Sequence, residues 1–523
     1  MNRRTTQLIT AAMLLLSCLV IAPEARADSV QRAEELLSSW QMEEARDIIV
    51  ELAQQRPGAA EVLYLQARYA FYRGDYAEAL VKIEAAIAKA AGRPDWVQLH
   101  EIIKSTLEVT RNYERHVSPD GRFEIFIEPG RDRVLLPYAF EALDKAYEAL
   151  GEELGYRPPA PIRVEIYPQT SVLAKVSVLT EAEIRTSGTI ALCQYNRLMI
   201  TSPRALMRGY GWVDTLVHEY VHYVINRKAY NRVPIWMHEG LAKYLERRWR
   251  GPNEHALALS SERLLQERIK ANTLIPFEAM HPSMAKLPSQ EDAAVAFAEV
   301  YTVMEYLQKR EGAGAFARLL DTINEGYEAP EAFGRVLGTS FAAFERDWRV
   351  YLNGRNIKEI PDDAGFEDRL VFKEEAGGSG ELGQIAQPAA RDHIHLGEML
   401  QARQRYGAAV VQYEKAGRLI GDHNPILQTR LAQTLLQIGR ARDAVNALLK
   451  VNELHPSYVT TWILLGKASN ALGEHAKARD YLLEAARINP FNPEVHHELA
   501  QAYEKLGQQE LAKREREFVQ LVR

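Results

Sequence analysis

Glycine recurs at an interval of 34 residues near the C-terminal end of the chain, at Gly439, Gly473 and Gly507. Each is followed five residues later by alanine (Ala444, Ala478, Ala512), and Pro456 and Pro490 keep the same step. The physical sense of this period is a helical hairpin. Glycine ends the first helix, and alanine lets the second pack close against it. Such hairpins stack on their neighbours to bury a continuous apolar core. A less regular copy, Tyr406-Gly-Ala-Ala-Val-Val-Gln-Tyr413, begins the array near residue 391. The register returns at the other end, where Gly74-Asp75-Tyr76 precedes Ala79-Leu80 and Trp40 and Ala45 occupy the equivalent slots 34 residues earlier. Residues 28–115 therefore read as two hairpins plus a further helix over Val97–Arg111, and residues 391–523 as a longer array.

Trp462-x-x-Leu465-Gly466 and Tyr481-Leu482 occupy positions typical of tetratricopeptide repeats, which this region resembles closely. The resemblance implies a concave surface that docks peptides or proteins. For the short N-terminal pair, a role in rigidifying or capping the rest fits equally well. The Lys and Glu residues along these helices read as a solvated face.

With 523 residues the chain calls for roughly three units of 100–200 residues. A hydrophobic content of 47% with 26% charged residues is that of a soluble globular protein, and a net charge of −6 with interleaved signs excludes a nucleic-acid surface. The N-terminus departs from this. Arg3 and Arg4 precede an apolar run from Leu8 to Ala22, and Ala25-Arg26-Ala27 supplies a small-x-small cleavage pattern. Residues 1–27 are expected to be a secretory signal peptide, too short for a stable membrane span. Leu15-Leu16-Ser17-Cys18 also resembles a bacterial lipobox, which would anchor the protein to a membrane through Cys18. Against it, Leu19-Val20-Ile21 continues the apolar run. Cleavage after Ala27 removes Arg3, Arg4, Arg26 and Glu24, taking the net charge to −8, and leaves Cys193 as the one cysteine. An exported chain with one cysteine has no internal disulfide, so packing must hold it. Cys193 itself reads as a small core residue in a strand-like run.

Between the arms, residues 120–355 do not repeat. Phe123–Ile127 and Ile162–Tyr167 alternate like half-buried strands, a helix over Val134–Leu154 connects them, and Thr189–Ile200 reads as another strand or hairpin. Helices dominate from Trp212 onward, giving an α+β, predominantly helical fold. Residues 356–390, with Pro361-Asp-Asp-Ala-Gly and Gly377-Gly-Ser-Gly380, read as a flexible linker that would tether the C-terminal array.

The chemistry lies in Val213-Asp-Thr-Leu-Val-His-Glu-Tyr-Val-His-Tyr-Val-Ile225. A helix advances about 100° per residue, so His218 and His222 project from one side and can offer two imidazoles to one metal ion. Glu219 sits beside them as the candidate general base, the pattern of zinc metalloproteases. Two histidines and an acid on a mostly apolar helix would be costly to bury unpaired. A second motif follows in Pro234-Ile-Trp-Met-His-Glu-Gly-Leu-Ala-Lys-Tyr-Leu-Glu246.

Trp236-x-x-Glu239-Gly240-x-Ala242-x-Tyr244 resembles the third-ligand helix of the gluzincin metallopeptidases, in their peptidase-MA-like branch. The resemblance implies a thermolysin-like zincin domain between the two repeat arms. It also implies one zinc ion held by His218, His222 and Glu239, with Glu219 as the catalytic base. The Gly-Ala-Met-Glu-Asn motif of the aminopeptidase relatives is missing, so exopeptidase specificity does not carry over. Tyr301 and His238 are candidate oxyanion donors, and Asp214 and Glu246 candidate carboxylates that orient the ligating imidazoles.

These readings add up to an exported, periplasmic or secreted zinc metalloendopeptidase whose repeat arms recruit protein substrates or partners. Two alternatives stay open at this point: a non-catalytic scaffold of an envelope complex, and a zinc amidase acting on cell-wall peptides.

Overall fold

The computed structural model describes residues 23–251, 257–355 and 381–523. The residues read as the apolar run of a signal peptide, Cys18, and 356–380 of the expected linker lie outside them. Among the described residues, no helix is long and apolar enough to cross a membrane. The chain divides into two compact units, one ending at Leu107 and one beginning at Glu108.

The first unit is a run of antiparallel helices: α1 (Pro23–Ser38), α2 (Met42–Gln55), α3 (Ala60–Arg73), α4 (Tyr76–Lys89) and α5 (Pro94–Thr110), whose last turn crosses the boundary. Small residues sit where helices meet, with Ala45, Ala67, Ala79 and Ala86 all fully buried. Gly74 ends α3 at φ +85°, a left-handed conformation in which its N–H caps the helix by bonding to the Ala70 and Phe71 carbonyls.

The second unit opens with a five-stranded sheet in the order β1-β2-β3-β5-β4. Its strands are β1 (Glu114–Val117), β2 (Phe123–Ile127), β3 (Ile162–Tyr167), β4 (Ala191–Gln194) and β5 (Arg197–Thr201). The expected strands Phe123–Ile127 and Ile162–Tyr167 appear with those bounds, while β1, at the end of the segment assigned to the N-terminal repeats, was not anticipated. Strands β2, β3 and β5 run parallel, with β1 and β4 added antiparallel at the edges. Phe123, Ile125 and Ile127 are buried at alternate positions, the period of a strand with one face on a core. Helix α6 (Leu136–Glu153) links β2 to β3, and two short helices, α7 (Thr170–Val176) and α8 (Glu181–Ser187), precede the β4–β5 hairpin.

Among the described residues seven α-helices follow before the array: α9 (Trp212–Ala229), α10 (Ile235–Leu245), α11 (Leu259–Ala271), α12 (Gln290–Glu311), α13 (Ala315–Asn324), α14 (Ala329–Leu337) and α15 (Phe341–Asn353). The C-terminal array is four hairpins: α16 (Pro388–Ala402) with α17 (Tyr406–Ile420), α18 (Pro425–Gln437) with α19 (Ala441–Leu454), α20 (Val459–Ala471) with α21 (His475–Ile488), and α22 (Pro493–Lys505) with α23 (Gln509–Val522). The 34-residue glycines take the inter-helix position, at φ +76°, +74° and +75° for Gly439, Gly473 and Gly507. Ala444, Ala478 and Ala512 are fully buried, and a Cβ at Gly466 would stand 2.4 Å from Leu482 Cγ. Close helix approach is thus the physical content of the repeat.

The array is not loosely tethered. A 3₁₀ turn spans Glu381–Gln384, and Ile385 joins the core of the first hairpin. The array then packs directly against the middle domain. Trp212 Nε1 donates to the Ala486 carbonyl at 3.1 Å, and the Tyr210 N–H to that of Ile488 at 3.1 Å. Gly209 makes this possible, because a Cβ there would lie 2.3 Å from Ile488 O. Arg250 grips Asp214 of α9 and Glu484 of α21, at 2.8 and 2.7 Å. At the far end, Tyr138, fully buried Glu515 and fully buried His496 form a polar chain. The linker composition predicted independence; buried polar contacts across the junction override it.

Candidate metal centre

Helix α9 is apolar nearly all round because it is enclosed nearly all round, by β4 and β5, α6, α10, α13 and α21. Trp212, Val213, Leu216, Val217, Tyr220, Val221, Val224 and Ile225 are each at most 1% exposed. At about 1.5–3 kcal/mol per large apolar side chain, their burial is worth on the order of 10 kcal/mol or more. That is enough to carry the polar residues on the same helix into a dry site.

Helix α10 supplies the other half. Trp236 stacks on Phe277 with centroids 4.7 Å apart and contacts Phe333 and Phe341, so the tryptophan of the Trp-x-x-Glu-Gly motif is an anchor for the helix. Gly240 lies so close to α12 that a Cβ would stand 2.9 Å from the Val300 carbonyl. Between anchor and close approach, Glu239 is directed at α9.

His218 Nε2 and His222 Nε2 each lie 3.3 Å from Glu239 Oε2. The three ligand-type atoms are all within 4.8 Å of one another. A tetrahedral ion with bonds of about 2.1 Å separates its ligand atoms by about 3.4 Å, so this donor set of two nitrogens and one oxygen fits zinc in kind and in spacing. Each imidazole is held from behind. His218 Nδ1 donates to Glu246 Oε2 at 3.1 Å, and Lys243 Nζ donates to the other oxygen of Glu246 at 2.6 Å. His222 Nδ1 lies 2.5 Å from His238 Nδ1, and His238 Nε2 lies 2.8 Å from Asn226 Oδ1. Both Nε2 atoms are thereby left facing Glu239.

The electrostatics follow from burial with dense pairing. Burial opposes ionisation of Glu239, but His222 and His218 beside it hold its carboxyl well below the usual range. Burial likewise disfavours a charged His218, yet the Glu239 and Glu246 carboxylates carry it up to about 10 in the metal-free chain. Glu246 is buried too, and Lys243 and His218 keep it below the ordinary carboxylate range. Burial pushes Glu219 up, against the pull of the two histidines. Its charge in turn acts on the buried groups of Cys193 and Tyr210, both held well above their ordinary values chiefly by burial. Glu219 is thus within electrostatic reach of Cys193 on the edge strand β4, whose thiol is buried although the residue as a whole is partly exposed.

The four residues singled out together, His218, Glu219, His222 and Glu239, are brought together, and Glu246 joins them. Asp214 is not among them: it accepts from Trp249 Nε1 and Arg250 and braces the start of α9. Tyr301 is not brought to the site either. It is 3% exposed on α12 and packs on Tyr244 at 5.4 Å. The charges that act on it most strongly are those of Glu305, Arg355 and Glu262. Its helical position made it a candidate; its rotation on that helix turns it into the core. His238 lies behind His222, on the side away from Glu239. Asn226 was not anticipated, although its spacing of four from His222 puts it on the histidine stripe.

A histidine pair and a glutamate meet from adjacent helices beside a mixed sheet, in a domain followed by stacked helical hairpins. Comparison with known families agrees. Residues 142–354 match the Peptidase MA superfamily, and residues 429–493 and 481–514 match tetratricopeptide repeats. The TPR repeat-containing protein YpiA of Bacillus subtilis (strain 168) is 30% identical over 145 residues, 27% of this chain. The match covers 32% of that relative's length. Among solved structures, a thermophilic TPR protein from Thermus thermophilus is 25% identical, covering 25% of this chain and 73% of that one at a TM-score of 0.24. MamA from Desulfovibrio magneticus RS-1 is 19% identical, covering 27% and 78% at a TM-score of 0.25.

Proposed function

We propose that this chain is an exported zinc-dependent endopeptidase that works in the periplasm or outside the cell, with its repeats recruiting protein substrates or partners. The observation that carries the reading is the approach of His218 Nε2 and His222 Nε2 to one oxygen of Glu239, each at 3.3 Å, with both Nδ1 atoms engaged elsewhere.

His218, His222 and Glu239 would hold the ion, leaving a fourth position open. Zinc supplies Lewis acidity there, lowering the pKa of water toward neutrality and polarising a peptide carbonyl. Glu219 accepts the proton from the attacking water and passes it to the leaving amine; its burial, which raises its proton affinity, suits it to both halves of that transfer. Glu246 and His238 keep the two imidazoles turned toward the ion. Strand β4 pairs only with β5 among the described residues, and an extended substrate peptide would add to that edge of the sheet.

The test is metal content and cleavage measured together. Purified wild type should carry one zinc per chain and cleave casein, and His222→Ala and Glu239→Ala should lose the metal. Glu219→Gln should keep the zinc and lose cleavage by about 100-fold or more. A wild-type protein without zinc, and indifferent to chelators, would instead be a scaffold.

A further inference from the structure

We propose that residues 381–385 fill, from within the chain, a peptide-docking site of the repeat array, and that a partner segment of the same chemistry takes their place. That chemistry is an acidic residue with apolar residues one and four places further on. The inference rests on the reading of the repeats as a dock for proteins and names the kind of segment they take.

The sequence of this stretch is Glu-Leu-Gly-Gln-Ile, and its contacts reach well beyond its neighbours in the chain. Glu381 is held at both carboxylate oxygens. Arg430 Nη2 donates to Oε2 at 2.8 Å, and the Tyr458 hydroxyl donates to Oε1 at 3.2 Å. Arg430 lies on α18 and Tyr458 immediately precedes α20, so one carboxylate ties together the first helices of the second and third hairpins. Arg208, from the stretch between β5 and α9, adds the middle domain. Its Nη2 donates to Gln384 Oε1 at 3.2 Å and lies 3.6 Å from Glu381 Oε1, with the guanidinium over the Tyr458 ring. Leu382 and Ile385 supply the apolar half. Ile385 is 2% exposed in one cluster with Ile394 of α16, Ile426 of α18 and Tyr458, and Leu382 packs against that cluster.

A segment that merely closed the open end of the array would make its contacts with the first hairpin. The polar contacts of this one go instead to the next two hairpins and to the middle domain, while Leu396 and Met399 on α16 stay 39% and 42% exposed. Charge points the same way. Arg430 faces two carboxylates, Glu398 at 2.9 Å and Glu381 at 2.8 Å. With residues 381–385 lifted away it keeps one, and the place left beside it suits another anion. The Glu381 side chain is itself 35% exposed, so an incoming segment can reach the contacts it would take over. Because residues 381–385 are joined to α16, they compete at an effective concentration of about millimolar, and a free peptide meets a site already filled.

The probe is a fluorescein-labelled peptide with the sequence of residues 381–387, titrated into the full chain and followed by anisotropy. The triple variant Glu381→Ala/Leu382→Ala/Ile385→Ala should bind it at least about 10-fold more tightly than wild type, because the tethered copy no longer competes. Bound peptide should also raise the thermal midpoint of that variant, a readout that an unfolded chain cannot give. Glu381→Ala/Gln384→Ala alters only polar side chains, leaves Ile385 in the core, and should show a smaller gain of about threefold. Adding Arg430→Ala to the triple variant, or changing the peptide's glutamate to lysine, should weaken binding by about 10-fold or more. Equal binding by wild type and both variants overturns the proposal, as does binding indifferent to Arg430→Ala. Panning a random heptapeptide library on the same variants separates this proposal from the reading beneath it. Captured peptides without the acidic and apolar pattern leave the dock standing and overturn its assigned partner. A chain that captures none overturns the dock itself.

Discussion

Glu299 sits on α12, 1% exposed, where its carboxyl accepts from the Ile275 N–H at 2.8 Å. Burial pushes its pKa up to about 8, against the pull of that hydrogen bond and of Arg349 and Arg268. In the unfolded chain the same group titrates near 4.5. The folded state therefore binds the extra proton between these values, and stability falls as pH rises from about 4.5 through about 8. Glu299→Gln keeps an oxygen for Ile275 and removes the slope. Thermal unfolding should find it more stable than wild type at pH 8, by about 1–3 kcal/mol, with the gain vanishing near pH 5. Single residues were unevenly legible in the sequence. His218, Glu219 and His222 could be read because helix periodicity alone puts them together, and Glu239 because its motif resembles the third-ligand helix of the gluzincins. Tyr301 misled for the converse reason, since a polar side chain on a helix gives no sign of which way the helix is turned. Asn226 was hidden among apolar neighbours, though the same periodicity contained it.

The position of Glu239 is decided by how closely α10 can approach α12. At Gly240 a Cβ would meet Val300 O at 2.9 Å and the Met304 side chain at 3.1 Å, and the backbone oxygen cannot yield. Gly240→Ala should force the helices apart, at about 1–3 kcal/mol in stability, and carry Glu239 away from the histidines with a measurable drop in zinc affinity. Gly407 is the contrasting case. It lies near the start of α17 with nothing within 4 Å of a built Cβ, so Gly407→Ala should stabilise by about 0.5–1 kcal/mol in the same assay. Elements with a strict period were the most readable. The strands β2 and β3 announced themselves by alternation, and the array by its glycine and alanine spacing. Strand β1 did not, because Glu114-Arg-His-Val117 is polar and its pattern of partial burial comes only from pairing with β2 at the sheet edge.

At the scale of the second unit, the junction between domain and array is the feature that composition concealed. Arg250 is 12% exposed and holds carboxylates from both sides, Asp214 and Glu484. Arg250→Ala removes the cation shared by two partly buried acids, which keep Trp249 and Arg247 on Asp214 and Arg487 on Glu484, at an expected cost of about 1–3 kcal/mol. Hydrogen exchange in the first turn of α9 should quicken in this variant; unchanged exchange there would mean that the array does not brace the helix. A flexible stretch in the sequence reports only that the chain can bend, and says nothing of whether the pieces it joins will bond to each other. The bond from Trp212 to Ala486 spans 274 residues. A ribosome delivers the helix with both histidines long before it delivers that carbonyl, and domains fold from the N-terminal side as they emerge. The Trp212 indole therefore waits for nearly the whole chain before its partner exists. A protein truncated in its closing repeats would carry every residue of the candidate centre and still lack the contact that seats the start of its helix.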